Sequence, residues 1–168
     1  IRDRRKMTDA LQENLNRAAS YLERFTGGPV PHFIDGRPQS GRVSDRTFDD
    51  FAPVDGSRLA TVAAGDADDV DVAARAAHAA FETWRGVDGA ERRRILHGIA
   101  DAIEARAEEI ALVESMDTGQ PIRFMAQAAR RGAENFRFFA DRAPGARHGL
   151  SHPAADHINY TLRQPIGP

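Results

Sequence analysis

At 168 residues, 41% apolar, 29% charged and with a formal net charge of −2, the chain can form one globular domain and bury roughly 70% of its extended surface. It has no cysteine, which excludes disulfides, thiolate zinc sites and cysteine nucleophiles within these residues and suits a cytoplasmic location. The balanced charge argues against a nucleic-acid partner, and the lack of any run of about 18 apolar residues argues against a membrane span.

Residues 1–6 are basic with no apolar region behind them, so they are not a secretory signal. Met7-Thr8-Asp9 is the expected natural beginning, with residues 1–6 as tag, linker or upstream translation. Thr8 or Asp9 is placed to cap a first helix carrying Leu11, Leu15, Ala18, Leu22 and Phe25 at helical spacing, stopped by Gly27-Gly28-Pro29. This N-terminal extension covers residues 1–30.

A small β unit over 31–64 follows. Asp35-Gly36 between His32-Phe33-Ile34 and Arg37-Pro38 is a hairpin signal. Residues 46–54 give a second strand, Pro53-Val54-Asp55-Gly56 a turn, and residues 59–63 a third strand. Phe33, Phe48, Phe51, Leu59 and Val62 are expected to anchor this sheet over the helices.

A helical scaffold over 65–145 comes next. Asp66 is the expected cap of a helix whose buried stripe is Val70, Ala73, Ala77, Ala80, Phe81 and Trp84, with Asp68, Asp69 and Asp71 favoured by the helix dipole. Asp88 caps a second helix bearing Ile95, Leu96, Ile99, Ala100 and Ile103. The apolar register loosens around Ala105-Arg106-Ala107, predicting a break before a third helix that ends at Asp117-Thr118-Gly119. A last helix over about 122–141 places Ile122, Met125, Ala129, Gly132, Ala133, Phe136, Phe139 and Ala140 on one face, with Gly132 read as permitting a close helix crossing.

The remaining segment, 146–168, reads as a loop followed by a half-buried strand over 157–164, His157 to its end at Gln164, alternating Ile158, Tyr160 and Leu162 with polar neighbours. With no hairpin partner expected beside it, that strand requires a sheet from elsewhere in the chain, from another subunit, or from residues outside it.

No reaction centre is visible. GxGxxG after a strand, GxxxxGK[ST], HExxH and GxSxG are all missing from the sequence. His148, His152 and His157 read as surface histidines, Glu108, Glu109, Glu114 and Asp117 as a solvated helix face, and Arg92-Arg93-Arg94 as a salt-bridged helix start. Ser115 and Ser151 lack a placed base.

The order of motifs is more specific than any one of them. Phe33-Ile34-Asp35-Gly36, Phe51-Ala52-Pro53-Val54-Asp55-Gly56, Val62-Ala63-Ala64-Gly65-Asp66, Glu91-Arg92, Glu114-Ser115-Met116-Asp117-Thr118-Gly119-Gln120-Pro121, and Asn159-Tyr160-Thr161 with Pro165-Ile166-Gly167 resemble, in unbroken order over about 31–168, the amino-terminal third of the NAD(P)-dependent aldehyde dehydrogenases. Ala133-Glu134-Asn135-Phe136-Arg137-Phe138-Phe139 with Asn159-Tyr160-Thr161 is most similar to the branch acting on hydroxymuconic-type semialdehydes in aromatic catabolism.

The resemblance implies an α/β fold represented here by its helical scaffold and small β elements, truncated before most of the Rossmann-like cofactor domain. It implies NAD or NADP as cofactor and a small-molecule aldehyde as substrate. A cysteine thiolate attacks that aldehyde, and oxidation to the carboxylic acid passes through a thiohemiacetal and a thioester. All catalytic and cofactor-binding residues then lie outside this chain, which alone is expected to be inactive. The resemblance also implies a homodimer or homotetramer through the strand over 157–164, and a structural sodium or potassium ion held by Asp117 and by backbone carbonyls of Asp50 and Phe51. Ala52 departs from the asparagine frequent at that position. The competing reading is a stand-alone helical interaction or assembly protein without catalytic activity.

Overall fold

The computed structural model describes residues 4–39, 46–146 and 149–168. The elements run α1 (Arg4–Leu22), a 3₁₀ turn (Glu23–Phe25), β1 (His32–Ile34), β2 (Arg37–Gln39), β3 (Thr47–Phe51) and β4 (Arg58–Ala63). They continue with α2 (Ala67–Trp84), α3 (Gly89–Ala105), α4 (Ala107–Thr118), α5 (Ile122–Arg142), a second 3₁₀ turn (Ala143–Gly145), β5 (Gly149–Pro153) and β6 (Ile158–Thr161).

Local chemistry sets most of these boundaries. Asp35 (φ 55°) and Gly36 (φ 71°) both take the left-handed conformation of a tight hairpin turn, so β1 and β2 pair as the Asp-Gly signal predicts. The Asp66 carboxylate accepts from the amides of Asp68 (2.9 Å) and Asp69 (3.1 Å), while the Asp69 carboxylate accepts from the Asp66 amide, closing a capping box at the start of α2. Asp88 caps α3 through the Glu91 amide at 2.8 Å. The predicted break falls at Arg106 between α3 and α4.

The core lies where α5 packs against α3 and α4. Apart from Leu112 its buried residues are alanines: Ala100, Ala111, Ala129, Ala133 and Ala140. Alanine on facing helices keeps helix propensity high and lets the backbones approach. Charge reinforces the α3–α5 seam: Arg93 (2.8 Å) and His97 (2.9 Å) both reach Asp141, and Arg137 bridges Asp101 and Glu104. The hydrogen bond from His97, and then that from Arg93, hold the Asp141 carboxyl below its ordinary pKa. Gly132 is not the close-crossing position expected of it, because a methyl group there would meet open space. The close approach is instead at Gly89, where a Cβ would come within 2.7 Å of the Ala143 carbonyl oxygen.

Three sequence expectations are corrected. First, the β segments form separate antiparallel pairs, β1–β2 and β3–β4, and the aromatic residues meant to anchor them face outward: Phe33, Phe48 and Phe51 are all more than half exposed. Leu59 and half-buried Val62 keep the anchoring role, because a register shift at Asp50/Phe51 leaves Leu59 opposite no partner and turned inward. Second, α2 presents Val70 (67% exposed), Ala77 and Ala80 to the surface, with Trp84 partly open. Third, the final strand has a sequence-adjacent partner: β5 pairs antiparallel with β6 inside the stretch read as a loop. β6 is also shorter than expected and all its residues are exposed; it pairs with β5 in a two-stranded sheet.

Candidate functional site

The residues singled out for a cation, Asp50, Phe51 and Asp117, come together at the junction of β3 and α4. The turn after β3 is closed by its own hydrogen bonds. Ala52 N–H donates to Ser57 O (2.8 Å), Gly56 N–H to Ala52 O (2.8 Å), and the Asp55 carboxylate accepts from both the amide and the hydroxyl of Ser57. Those Ser57 bonds hold the Asp55 carboxyl below its ordinary pKa. Ala52, where the resemblance leads to an expected asparagine, is buried at 2% exposure, so the turn closes without an amide side chain at that position.

The end of α4 is built to sit on this turn. Gly119 takes φ 71°, and its missing side chain is what lets Pro53 approach: a Cβ there would lie 2.9 Å from Pro53 Cγ. Thr118 Oγ1 donates to Glu114 O (2.7 Å) and Ser115 Oγ to Gln120 O (2.6 Å), tying off the last carbonyls of the helix and the following loop. This docking brings the Asp117 carboxyl against that of Asp50. Partial desolvation, then the charge and hydrogen bonding of Asp50, then the charge of Glu114, push the Asp117 carboxyl above its ordinary pKa.

Two facing carboxylates at a strand end are oxygen donors of the kind a hard, oxygen-seeking cation takes. Among the described residues no three His, Cys, Asp or Glu side chains cluster as metal ligands, so such an ion would depend on the main chain for the rest of its coordination.

Other candidates resolve into structure. Arg92 stacks on Trp84 at 4.6 Å and donates to the Trp84 and Val87 carbonyls, Arg93 binds Asp141, and Arg94 binds Glu91. His157 pairs with Asp156. His148 lies outside the described residues, as does the side chain of His152. Two features escaped the sequence reading: Asp69 is buried at 6% exposure with His32 Nε2 at 3.7 Å, and Glu108 and Glu109 hold α1 and the 3₁₀ turn after it, respectively, to the body. The run Asp66-Ala67-Asp68-Asp69 carried the capping-box signal for the first; the second joins residues about 90 positions apart and leaves no local trace.

Comparison with known proteins decides which fold these elements belong to. Residues 41–168 match the aldehyde dehydrogenase family. The chain belongs to the aldehyde dehydrogenase family. It is 38% identical over 144 residues to 2-hydroxymuconic semialdehyde dehydrogenase of Pseudomonas sp. (strain CF600), covering 82% of this chain and 29% of that one. Its structure is similar to that of HpcC from Thermus thermophilus, with a TM-score of 0.84 and 35% identity over 90% of this chain and 30% of the other. It is likewise similar to the NAD+ complex of aldehyde dehydrogenase from Bacillus cereus, with a TM-score of 0.80 and 30% identity over 86% and 30% of the two chains. The chain therefore spans under a third of the length of these three proteins. Its helices with small strands are a portion of that α/β fold. Among the described residues, the apolar cavity beside α4, of about 290 Å³, has Asp55 as its one charged lining residue.

Proposed function

We propose that this chain is the amino-terminal scaffold of an NAD-dependent aldehyde dehydrogenase that oxidises a semialdehyde to the corresponding carboxylic acid. The supporting observation is the collinear match over 41–168 together with similarity to a 2-hydroxymuconic semialdehyde dehydrogenase. NAD, when bound to the complete enzyme, accepts the hydride; the residues of this chain hold α3, α4 and α5 as one packed body and fix the β3–α4 junction. Catalysis by cysteine is assigned to residues outside this chain, since it contains none.

A sodium or potassium ion at the β3–α4 junction is part of the same proposal. The Asp50 and Asp117 carboxylates and the main-chain carbonyls of Asp50 and Phe51 would hold it, and its charge would offset the desolvation, and then the Asp50 repulsion, that raise Asp117. Association into a homodimer or homotetramer is assigned to β6, whose described residues are all exposed and which is paired with β5 alone in a two-stranded sheet.

The test is NADH formation with 2-hydroxymuconic semialdehyde, using the complete natural gene product and the 168-residue chain side by side. The complete product is expected to turn over and the chain alone to give none. A complete product that leaves every semialdehyde and simple aldehyde unoxidised removes the proposal. A second reading, a helical assembly module without activity, draws on the exposed apolar residues of α2 and β6. Stable capture of an intact dehydrogenase subunit by the isolated chain, with no turnover from the complete gene product, would favour it.

A further inference from the structure

Glu108 and Glu109 are adjacent in the first turn of α4, yet they hold different parts of the N-terminal arm. Glu109 has a side chain only 14% exposed. It accepts two hydrogen bonds from Arg106 (2.8 and 2.7 Å) and pairs with Arg24 of the first 3₁₀ turn. The Arg106 hydrogen bonds lead in holding its carboxyl below the ordinary pKa. Beside it, Phe25 is half-buried and lines a cleft with Leu59, Ala60 and Thr61 of β4. This is a fixed root.

Glu108 is different. Its side chain is 54% exposed, and it binds α1 itself: Arg17 pairs with it, and the Tyr21 hydroxyl donates to it at 3.0 Å. Apolar burial adds little, for among the described side chains of α1 only Ala18 is buried, while Leu11 and Leu15 are 59% and 41% exposed. Those two leucines overhang the 290 Å³ cavity, whose other apolar walls include Val54, Leu112, Met116 and Ile122. Between root and arm the backbone changes from α to 3₁₀ hydrogen bonding at Leu22/Glu23, a geometry suited to a hinge.

We propose that α1 is a releasable arm, latched by Glu108 through Arg17 and Tyr21 and rooted by Glu109 and Phe25, which lifts to open the apolar cavity while α3, α4 and α5 stay folded. Exposed ion pairs are weak and screened by salt, so the latch is set by ionic strength. This does not rest on the dehydrogenase reading, since it concerns the folded chain alone.

Hydrogen exchange measured peptide by peptide on the chain tests it. Raising the salt concentration, or substituting Glu108→Gln, is expected to speed exchange in Arg4–Leu22 by roughly two- to fivefold, the range a surface ion pair allows, with α3 and α5 unchanged. Tyr21 ionisation, held above its ordinary value first by the hydrogen bond to Glu108, is expected to move back toward that value in high salt. Glu109→Gln should instead also loosen Glu23–Phe25. The charge swap Arg17→Glu with Glu108→Arg should restore protection of the arm. The proposal is overturned by α1 exchange that ignores both salt and Glu108→Gln, by α1 accelerating together with α3 and α5, by identical maps for Glu108→Gln and Glu109→Gln, or by failure of the charge swap to restore protection.

Discussion

Helices α2 and α5 are similar in length and both are rich in alanine, but they use it differently. In α5, Ala129, Ala133 and Ala140 are at or below 5% exposure, wedged between α3 and α4. In α2, Ala77 and Ala80 are exposed beside Val70, and its packing within the chain is confined largely to β1. The same residue type is a close-packing device where a neighbour exists and a bare surface where none does. Helical periodicity records that a face is apolar; it does not record whether the covering partner lies within the same chain.

Substitutions that fill space should separate the two helices most sharply. Ala133→Leu forces extra methylenes into a fully buried seam and is expected to destabilise the chain by about 1–3 kcal/mol, whereas Ala77→Leu in α2 should stay within about 0.5 kcal/mol. Chemical denaturation with parallel fits of both variants measures the difference, and equal losses would show that α2 is packed after all. Next in size is the cap of α2: Asp66→Ala removes the acceptor for two amides and should cost about 1 kcal/mol, read as a fall in the denaturation midpoint. Gly132→Ala runs the other way. Its Cβ meets open space within a helix, so a stabilisation of up to about 1 kcal/mol is expected, and a loss would mean that α5 is crossed there.

The smallest effect concerns pH. Asp117 has its folded pKa raised above the ordinary Asp value, so between those two values the native state holds the extra proton. Stability is therefore fully present below the ordinary value and declines as pH rises through the folded one. Asp117→Asn should flatten this acid-side slope and raise the thermal midpoint at neutral pH in sodium- and potassium-free buffer. If the Asp50–Asp117 pair binds an alkali ion, added potassium should raise the wild-type midpoint and leave that of Asp117→Asn unmoved.

Much of the fold was legible because its signals are local. Asp35-Gly36, Asp66, Asp88 and Gly119 each dictate a turn, a cap or a stop through their own backbone chemistry, and all four do so here. The Asp50–Asp117 approach was accessible only through family resemblance, since it joins a strand end to a helix end across 67 positions by way of the Pro53–Gly119 contact. The readings that failed concern sidedness. Phe33, Phe48 and Phe51 are apolar residues in strands whose covering layer is not in these two-stranded sheets. The β5 strand was missed because Ser151, His152 and Pro153 lack the alternation of a half-buried strand; it pairs with β6 through its backbone.

The apolar face of α2 is largely uncovered in this chain, with Val70, Ala77 and Ala80 exposed, and we propose that further residues of a longer dehydrogenase cover it. Trp84 is the chain's single tryptophan and sits at the end of α2, stacked by Arg92 of α3, so its fluorescence reports on how far that end of α2 is covered. Emission at the wavelength of partly hydrated indole, readily quenched by acrylamide in the isolated chain, is the expected result. Blue-shifted emission that resists the quencher would contradict it, because α2 would then already be covered from within.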